Sequence, residues 1–170
     1  MVGPNGKLDV ITPNVVWRDS VPHMRGLTNY GLISLSNSIY FAATNANGTD
    51  RFYDYWRNYG TVSGASVSAL ATNIENAGSV MAYIGPLELN AVSNLVLGTN
   101  ATLSAPLSDL SLTARNLSVS NNLFNVGRAL TINVSGQLNA GTNDWQVLNG
   151  ASLLAKPVSG DLRYTTIRSK

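Results

Sequence analysis

The sequence predicts an all-β domain in which turns of about 20 residues stack as a parallel β-solenoid. The prediction rests on the composition, on an alternation of apolar and polar residues, and on the recurrence of that alternation. Of 170 residues, 44% are hydrophobic and only 12% are charged, against about 25% charged in a typical soluble domain. The 20 Asn, 18 Ser, 13 Thr and 15 Gly residues favour turns and polar strand faces over helix interiors. A helical bundle is therefore disfavoured.

A repeated unit carries the alternation. Apolar residues occupy every second position, the pattern breaks for two or three residues, and further apolar positions follow. Four clear copies begin at Val67, Leu87, Leu110 and Leu130, which are 20, 23 and 20 residues apart. A weaker copy begins at Ile39, 28 residues before the first, and indicates an insertion between the two. Each copy predicts two short strands separated by a bend, with one face buried.

Hairpin signals are missing where an antiparallel meander would need them. The Asn-Gly pairs that favour tight hairpins stand at residues 5–6, 47–48 and 149–150, outside the clear copies. The outward positions are rich in Ser, Thr and Asn, whose side chains can hydrogen-bond to like neighbours in the turns above and below. Charges stacked in register would repel. Both features favour parallel stacking.

A short motif marks the predicted corners. We assign four copies of Asn-x-Gly to corners, and the predicted turn residues are Asn29, Gly31, Asn58, Gly60, Asn76, Gly78, Asn125 and Gly127. Glycine adopts a positive φ without steric cost, and asparagine tolerates it better than most residues. We therefore expect each motif to turn the chain into the next strand.

These motifs carry a resemblance. Asn-Tyr-Gly, one further residue, then Ile or Val and Ser, together with strands such as VSALATNI (67–74) and LSLTARNLSV (110–119), resembles filamentous-haemagglutinin-like and autotransporter-passenger proteins. The resemblance implies a right-handed, single-stranded parallel β-helix in a secreted, cell-surface, repeat-rich bacterial protein. No export signal is visible near Met1, so we expect a fragment of a larger protein, with a cytoplasmic location left open.

The expected organisation is a single domain. Residues 1–28 would form an N-terminal cap or entry segment, residues 29–143 the solenoid rungs, and residues 144–170 a C-terminal cap or exit segment. Caps are expected because the ends of a solenoid expose sheet edges.

One segment suggests ligand binding. Residues 51–59 hold five of the 13 aromatic residues together with two arginines. Aromatic rings can stack on sugar rings while charged groups bind hydroxyls, which makes a candidate site of Arg51, Tyr53, Asp54, Tyr55, Trp56, Arg57 and Tyr59. The alternative is that the rings cover a sheet edge or form the outer face of a strand, since aromatic residues are strong strand formers.

Catalytic and metal sites are not expected. His23 is the single histidine, so no catalytic Ser–His or Cys–His pair can be built on a second one. Cysteine is absent, which excludes thiolate metal sites. Asp50 with Asp54, and Asp109 with Asp144, are the carboxylate pairs that hydrolysis could use. The segment 45–50 has too few carboxylates for a calcium loop. We expect no catalytic residue, metal or cofactor.

The expected function is that of a non-catalytic structural or adhesive module at the cell surface. The alternative is a carbohydrate-binding or carbohydrate-active β-helix that uses residues 51–59, and a third possibility is an intracellular assembly protein. Expected partners are adjacent rungs of a larger parent chain, end-to-end copies, surface glycans, or host and matrix proteins. Scattered charge argues against nucleic acid, and no segment is apolar enough for membrane insertion.

Overall fold

The structure is a computed structural model that describes most of the chain. It describes the backbone of residues 7–10, 15–19, 26–44, 50–51, 53–141, 143–147, 151–155, 159–161 and 165–169. Side chains are described for residues 26–42, 53–141 and 147. These residues form 21 β-strands, and none of them lies in a helix.

Two sheets contain all of the strands. The first sheet holds eight short strands: β1 (Lys7–Val10), β4 (Leu32–Leu35), β8 (Thr61–Gly64), β10 (Ser79–Ala82), β12 (Thr102–Ala105), β15 (Leu123–Val126), β18 (Asn143–Val147) and β21 (Thr165–Ser169). The second sheet holds thirteen: β2 (Val15–Asp19), β3 (Gly26–Asn29), β5 (Ile39–Thr44), β6 (Asp50–Arg51), β7 (Tyr53–Asn58), β9 (Val67–Asn76), β11 (Leu87–Leu97), β13 (Leu110–Ala114), β14 (Asn116–Val119), β16 (Leu130–Val134), β17 (Gln137–Ala140), β19 (Ala151–Ala155) and β20 (Ser159–Asp161).

The register confirms the stacking that the repeat predicts. Leu89 pairs with Ala69 on one side and Leu112 on the other, and Leu112 pairs in turn with Ile132. In the eight-stranded sheet, Thr102 and Leu123 occupy equivalent places 21 residues apart. Every pairing among the described strands is parallel except that of β5 with β6. The chain is therefore a parallel β-solenoid with turns of about 21 residues.

The bend predicted within each repeat is present. In β11 the register against β9 shifts between Ala91 and Asn94, and the side chains of Leu87, Leu89, Ala91, Leu95 and Leu97 are all buried. In the later turns the bend separates β13 from β14 and β16 from β17. Both halves of each repeat thus turn their apolar side chains to one core.

The predicted insertion is a short antiparallel excursion. Strand β5 continues to Thr44, and β6 returns beside it, with Thr44 opposite Asp50. Strand β7 then resumes the turn, because Phe41 pairs with Ala69 while Tyr53 pairs with Ala71. This excursion accounts for the 28-residue spacing between Ile39 and Val67.

The core is narrow, and the size of its side chains varies from turn to turn. Most buried side chains are Leu, Ile, Val and Ala. The largest, Phe41, Tyr53 and Trp56, cluster in one turn, where Phe41 and Trp56 pack with ring centroids 5.5 Å apart. The next turn places Ala69 and Ala71 beside Phe41 and Tyr53. Large rings against small side chains keep the core filled, as close packing requires.

Parallel pairing extends beyond the predicted limits of 29–143. Strand β1 pairs with β4 and β2 with β5, while β18 pairs with β21 and β16 with β19. The backbone of residues 7–10 and 165–169 is thus part of the stack.

Candidate functional site

A buried asparagine ladder lies at one corner of the solenoid. Asn29, Asn58 and Asn76 are fully buried. The Nδ2 of Asn29 donates to Oδ1 of Asn58 at 2.8 Å, and the Nδ2 of Asn58 donates to Oδ1 of Asn76 at 2.7 Å. Each Nδ2 also lies 3.2 to 3.3 Å from the carbonyl oxygen two residues further on. These side chains pair with one another and hold the corner, which is a structural role.

The glycines of this corner are needed for close approach. A Cβ on Gly60 would lie 2.1 Å from the carbonyl oxygen of Gly31, and a Cβ on Gly78 would lie 2.1 Å from that of Gly60. Neither glycine has a φ in the left-handed region, so the expected reason, positive φ, is wrong for this pair. Stacked corner backbones leave no room for a side chain. The two described non-glycine residues with positive φ are Asn100 and Asn121.

The fourth predicted motif does not belong to this ladder. Asn125 lies in β15, exposed, with its Nδ2 3.5 Å from Oγ of Ser104. Gly127 follows β15 at a different corner, where a Cβ would lie 1.9 Å from the carbonyl oxygen of Pro106. The place equivalent to Asn76 is taken by Leu97 and then Val119. Asn125 is therefore not part of the buried ladder, while Gly127 lies in the bend between β15 and β16.

The aromatic segment 51–59 is divided between core and surface. Tyr53 and Trp56 are 1% and 0% exposed, so these two rings cannot stack on a sugar at the surface. The sequence suggested that both residues belong to a surface site, but the register places Trp56 beside the core residue Ile74. Asp54 and Arg57 point outward.

The two outward tyrosines of this segment already have ring partners. The guanidinium of Arg57 lies 4.6 Å above the Tyr55 ring, and a Cβ on Gly26 would lie 2.7 Å from the same ring. Tyr59 stacks on Tyr30 with ring centroids 5.0 Å apart. These contacts match the alternative in which the rings cover the outer face of a strand.

Charge links the two tyrosines to the neighbouring turn. Nε of Arg57 lies 3.5 Å from Oε2 of Glu75. The pKa of the Tyr59 hydroxyl is raised above its usual value, first by partial burial and then by a hydrogen bond to Glu75 and the negative charge of that carboxylate. Arg57, Glu75 and Tyr59 therefore form one small polar cluster on the outside of the solenoid.

An open groove runs beside this cluster on the outer face of the second sheet. It has a volume of about 420 Å³, and it is lined by Asp54, Tyr55, Arg57, Asn73, Glu75, Asn94 and Val96 together with Ile74. A smaller depression of about 130 Å³ shares Asn94 and Val96 with it and reaches Gln137 and Asn139. Because the two concavities share Asn94 and Val96, we consider them together and call them the amide groove.

Two rows of outward residues line the amide groove. The row nearer the bend contains Tyr55, Asn73, Asn94, Asn116 and Gln137. The parallel row, two residues further along each strand, contains Arg57, Glu75, Val96, Ser118 and Asn139. Within the first row, Nδ2 of Asn94 donates to Oδ1 of Asn73 at 2.8 Å, and Nδ2 of Asn116 donates to Oδ1 of Asn94 at 3.0 Å. The groove thus has a hydrogen-bonded amide floor.

Sequence reasoning missed this floor. Asn73, Asn94 and Asn116 each stand directly before an apolar residue that restarts the repeat after its bend: Ile74, Leu95 and Leu117. That recurrence of Asn before an aliphatic residue was a usable signal. It was hidden because asparagine is common throughout the chain.

Several predicted positions lie outside the residues whose side chains are described. They are His23, Arg51, the segment 45–50 and Asp144. The backbone register places Asp144 beside Leu123 in the first sheet, whereas Asp109 directly precedes β13 of the second. Across the described part of the chain, no three His, Cys, Asp or Glu side chains group as metal ligands.

Comparison with protein-family models, curated proteins and solved structures finds no significant match. The fold supports a β-helix repeat protein, whereas no comparison supports membership of the haemagglutinin-like or autotransporter families. A search of the described residues for a helix long and apolar enough to cross a membrane finds none.

Proposed function

We propose that this chain is a non-catalytic structural and adhesive module of a secreted or cell-surface bacterial protein. The observation that carries the proposal is the parallel register, which runs from β1 to β21 in one sheet. Each turn hydrogen-bonds to the next, so the backbone forms a continuous ladder along the axis. Such a stack suits a rigid spacer or a display surface.

The outer surface supports a display role. Outward positions of the second sheet carry Ser, Thr and Asn in register, as in the pair Ser111 and Thr131. Neutral polar ladders hydrate well without the repulsion that stacked like charges would cause. The surface can therefore extend over many turns without accumulating charge.

The arrangement of charged groups also favours a role without chemistry. Two of the described carboxylates, Glu75 and Asp109, form exposed ion pairs with Arg57 and Arg128. An exposed ion pair lacks the burial that tunes a carboxylate for acid–base catalysis. The expected partners are adjacent rungs of a larger parent chain or further copies stacked end to end.

Surface labelling of native cells tests this proposal. An antibody raised against the purified chain should label intact, unpermeabilised cells, and external protease should remove the label. A cytoplasmic protein of the same cells serves as the unlabelled control. Labelling seen only after permeabilisation would contradict the proposed location and favour an intracellular assembly protein.

A carbohydrate-binding or carbohydrate-active role is the second candidate. The observation that favours it is that Asp54, Tyr55 and Arg57, three of the seven predicted contact residues, line the amide groove. This candidate differs from the first in requiring a soluble saccharide ligand with measurable affinity.

A further inference from the structure

We propose that the amide groove binds a neutral saccharide chain lying along the solenoid axis. The inference rests on the adhesive role proposed above, and it names the site and the class of ligand. The site differs from the aromatic platform that the sequence suggested, because its floor is made of amides.

The length of the groove favours an extended ligand. Its rows cross β7, β9, β11, β14 and β17, which are successive neighbours in the second sheet. Four spacings of about 4.8 Å give a length of roughly 19 Å. A compact metabolite would fill only part of this length, whereas a chain of several sugar units could contact every strand.

The charge of the groove favours a neutral ligand. Asp54, Glu75 and Arg57 are the ionisable side chains lining the two concavities apart from Tyr55, so the groove carries two carboxylates and one guanidinium. The single cation is already 3.5 Å from Glu75. A polyanion such as a sulfated glycan or a nucleic acid would meet a net negative surface, and its binding would be opposed.

The hydrogen-bonding groups of the floor match hydroxyls. A side-chain amide carries two donors and an acceptor oxygen with two lone pairs, and a hydroxyl also donates and accepts. The Oδ1 atoms of Asn73 and Asn94 each accept one hydrogen bond from the next asparagine of the row. The second lone pair of each oxygen points away from that hydrogen bond. A row of such oxygens can accept from successive hydroxyls of one chain.

The floor is also held in place before a ligand arrives. The side chain of Asn94 is hydrogen-bonded to that of Asn73 on one side and to that of Asn116 on the other. The Arg57 guanidinium is held between the Tyr55 ring and Glu75. Because these side chains are already ordered, binding loses less conformational entropy than it would with mobile side chains.

Titration with defined oligosaccharides tests the inference. The probes are neutral hexasaccharides of glucose, xylose, mannose and N-acetylglucosamine, with a sulfated hexasaccharide as the polyanion. We expect at least one neutral probe to bind with a dissociation constant below about 1 mM and to shift the amide NMR signals of Asn73, Asn94 and Asn116. The Arg57→Ala and Asn94→Ala variants should bind at least tenfold more weakly.

Matched controls separate binding from folding. Arg128→Ala removes an arginine of a similar exposed ion pair at another corner, and should leave saccharide affinity unchanged. In Asn94→Ala, the NMR signals of residues in the first sheet must stay unchanged, which shows that the fold is retained. Arg57→Ala lies outside the amide ladder and provides a second, independent variant. Absence of binding by every neutral probe, tighter binding of the sulfated probe, or unaltered affinity in both variants would overturn the inference. Surface labelling would be unaffected by such a failure, so the two proposals fail separately.

Discussion

At the scale of single residues, two asparagine ladders of similar geometry have different environments. The ladder of Asn29, Asn58 and Asn76 is buried, whereas the ladder through Asn73 and Asn94 is exposed. Their side-chain bonds are 2.7 to 3.0 Å long. A hydrogen bond that water can replace contributes little, whereas a buried polar group left without a partner is costly. The buried ladder should therefore contribute most to stability.

Substitution at equivalent points of the two ladders measures this difference. Asn58→Ala removes the acceptor of Asn29 and the donor to Asn76, and should lower the free energy of unfolding by about 2–5 kcal/mol. Asn94→Ala interrupts the exposed ladder, where water can replace the lost hydrogen bonds. It should lower the free energy of unfolding by about 0.5 kcal/mol or less. Urea denaturation followed by circular dichroism gives both values. Equal losses would contradict the assigned roles.

The corner glycines give a second prediction. In Gly60→Ala the new methyl group meets backbone oxygen at 2.1 Å, so the stacked turns must separate. We expect a loss of about 3 kcal/mol, at the upper end of the range for overpacking. In Gly85→Ala, the control, the nearest atom is Cβ of Ser66 at 3.0 Å, and the loss should be clearly smaller. Thermal melting of the two variants distinguishes them, and a milder effect at Gly60 would contradict the close approach.

The raised pKa of Tyr59 predicts a dependence on alkaline pH. A group whose pKa is higher in the folded state than its unfolded value of about 10 stabilises the fold fully below pH 10 and loses this effect as pH rises. Wild-type stability should therefore fall more between pH 8 and pH 11 than that of Tyr59→Phe. Partial burial raises this pKa most, and the hydrogen bond to Glu75 and its charge come next, so Glu75→Gln should flatten the dependence in part. Identical pH profiles of wild type and both variants would refute this assignment.

At the scale of elements, the interrupted turn shows what the sequence could and could not reveal. The ten residues of 39–42 and 53–58 match the ten of β9 one for one, with Asn58 opposite Asn76. Aligning the two asparagines would have placed Trp56 beside Ile74, inside the core. The segment suggested a binding surface because five aromatic residues in nine dominate any local pattern.

Removal of the excursion tests this alignment. A variant lacking residues 43–52 joins Ala42 to Tyr53 and makes one continuous strand equivalent to β9. We expect it to fold, with a melting temperature within about 5 °C of wild type, because the uninterrupted strand β9 occupies the equivalent place in the next turn. The matched control removes ten residues from within β11, 87–96, and should abolish folding. A deletion variant of 43–52 that fails to fold would show that the excursion is part of the stack.

The neighbours of each outward residue in the amide groove depend on the register between strands of adjacent turns. Period-two alternation gives the inward side chains of each strand, and these predictions are confirmed from Val67 to Ala140. The amide groove needs the outward neighbours in adjacent turns, and these depend on bends of two or three residues. A one-residue error in a bend exchanges the two faces.

At the scale of the whole molecule, stability is shared between neighbouring turns. Each turn buries its apolar side chains against the turns next to it, and the core is one continuous cluster from Leu27 to Val147. In such a one-dimensional stack, a local defect weakens two interfaces and leaves distant ones intact. The composition follows from this geometry: a narrow aliphatic core, neutral polar ladders outside, and few charges in register.

Disulfide trapping between turns tests the stack most directly, because the chain has no cysteine of its own. Glu88 pairs with Ser111, and Ser111 pairs with Thr131. Neighbouring strands place Cα atoms about 4.8 Å apart, within the range of a disulfide, whereas two turns place them about 9.6 Å apart, beyond it. The double variants E88C/S111C and S111C/T131C should therefore form an intramolecular disulfide in dilute solution, and E88C/T131C should not. Trapping of E88C/T131C as readily as the other two, or failure of both neighbouring pairs, would contradict the parallel stack.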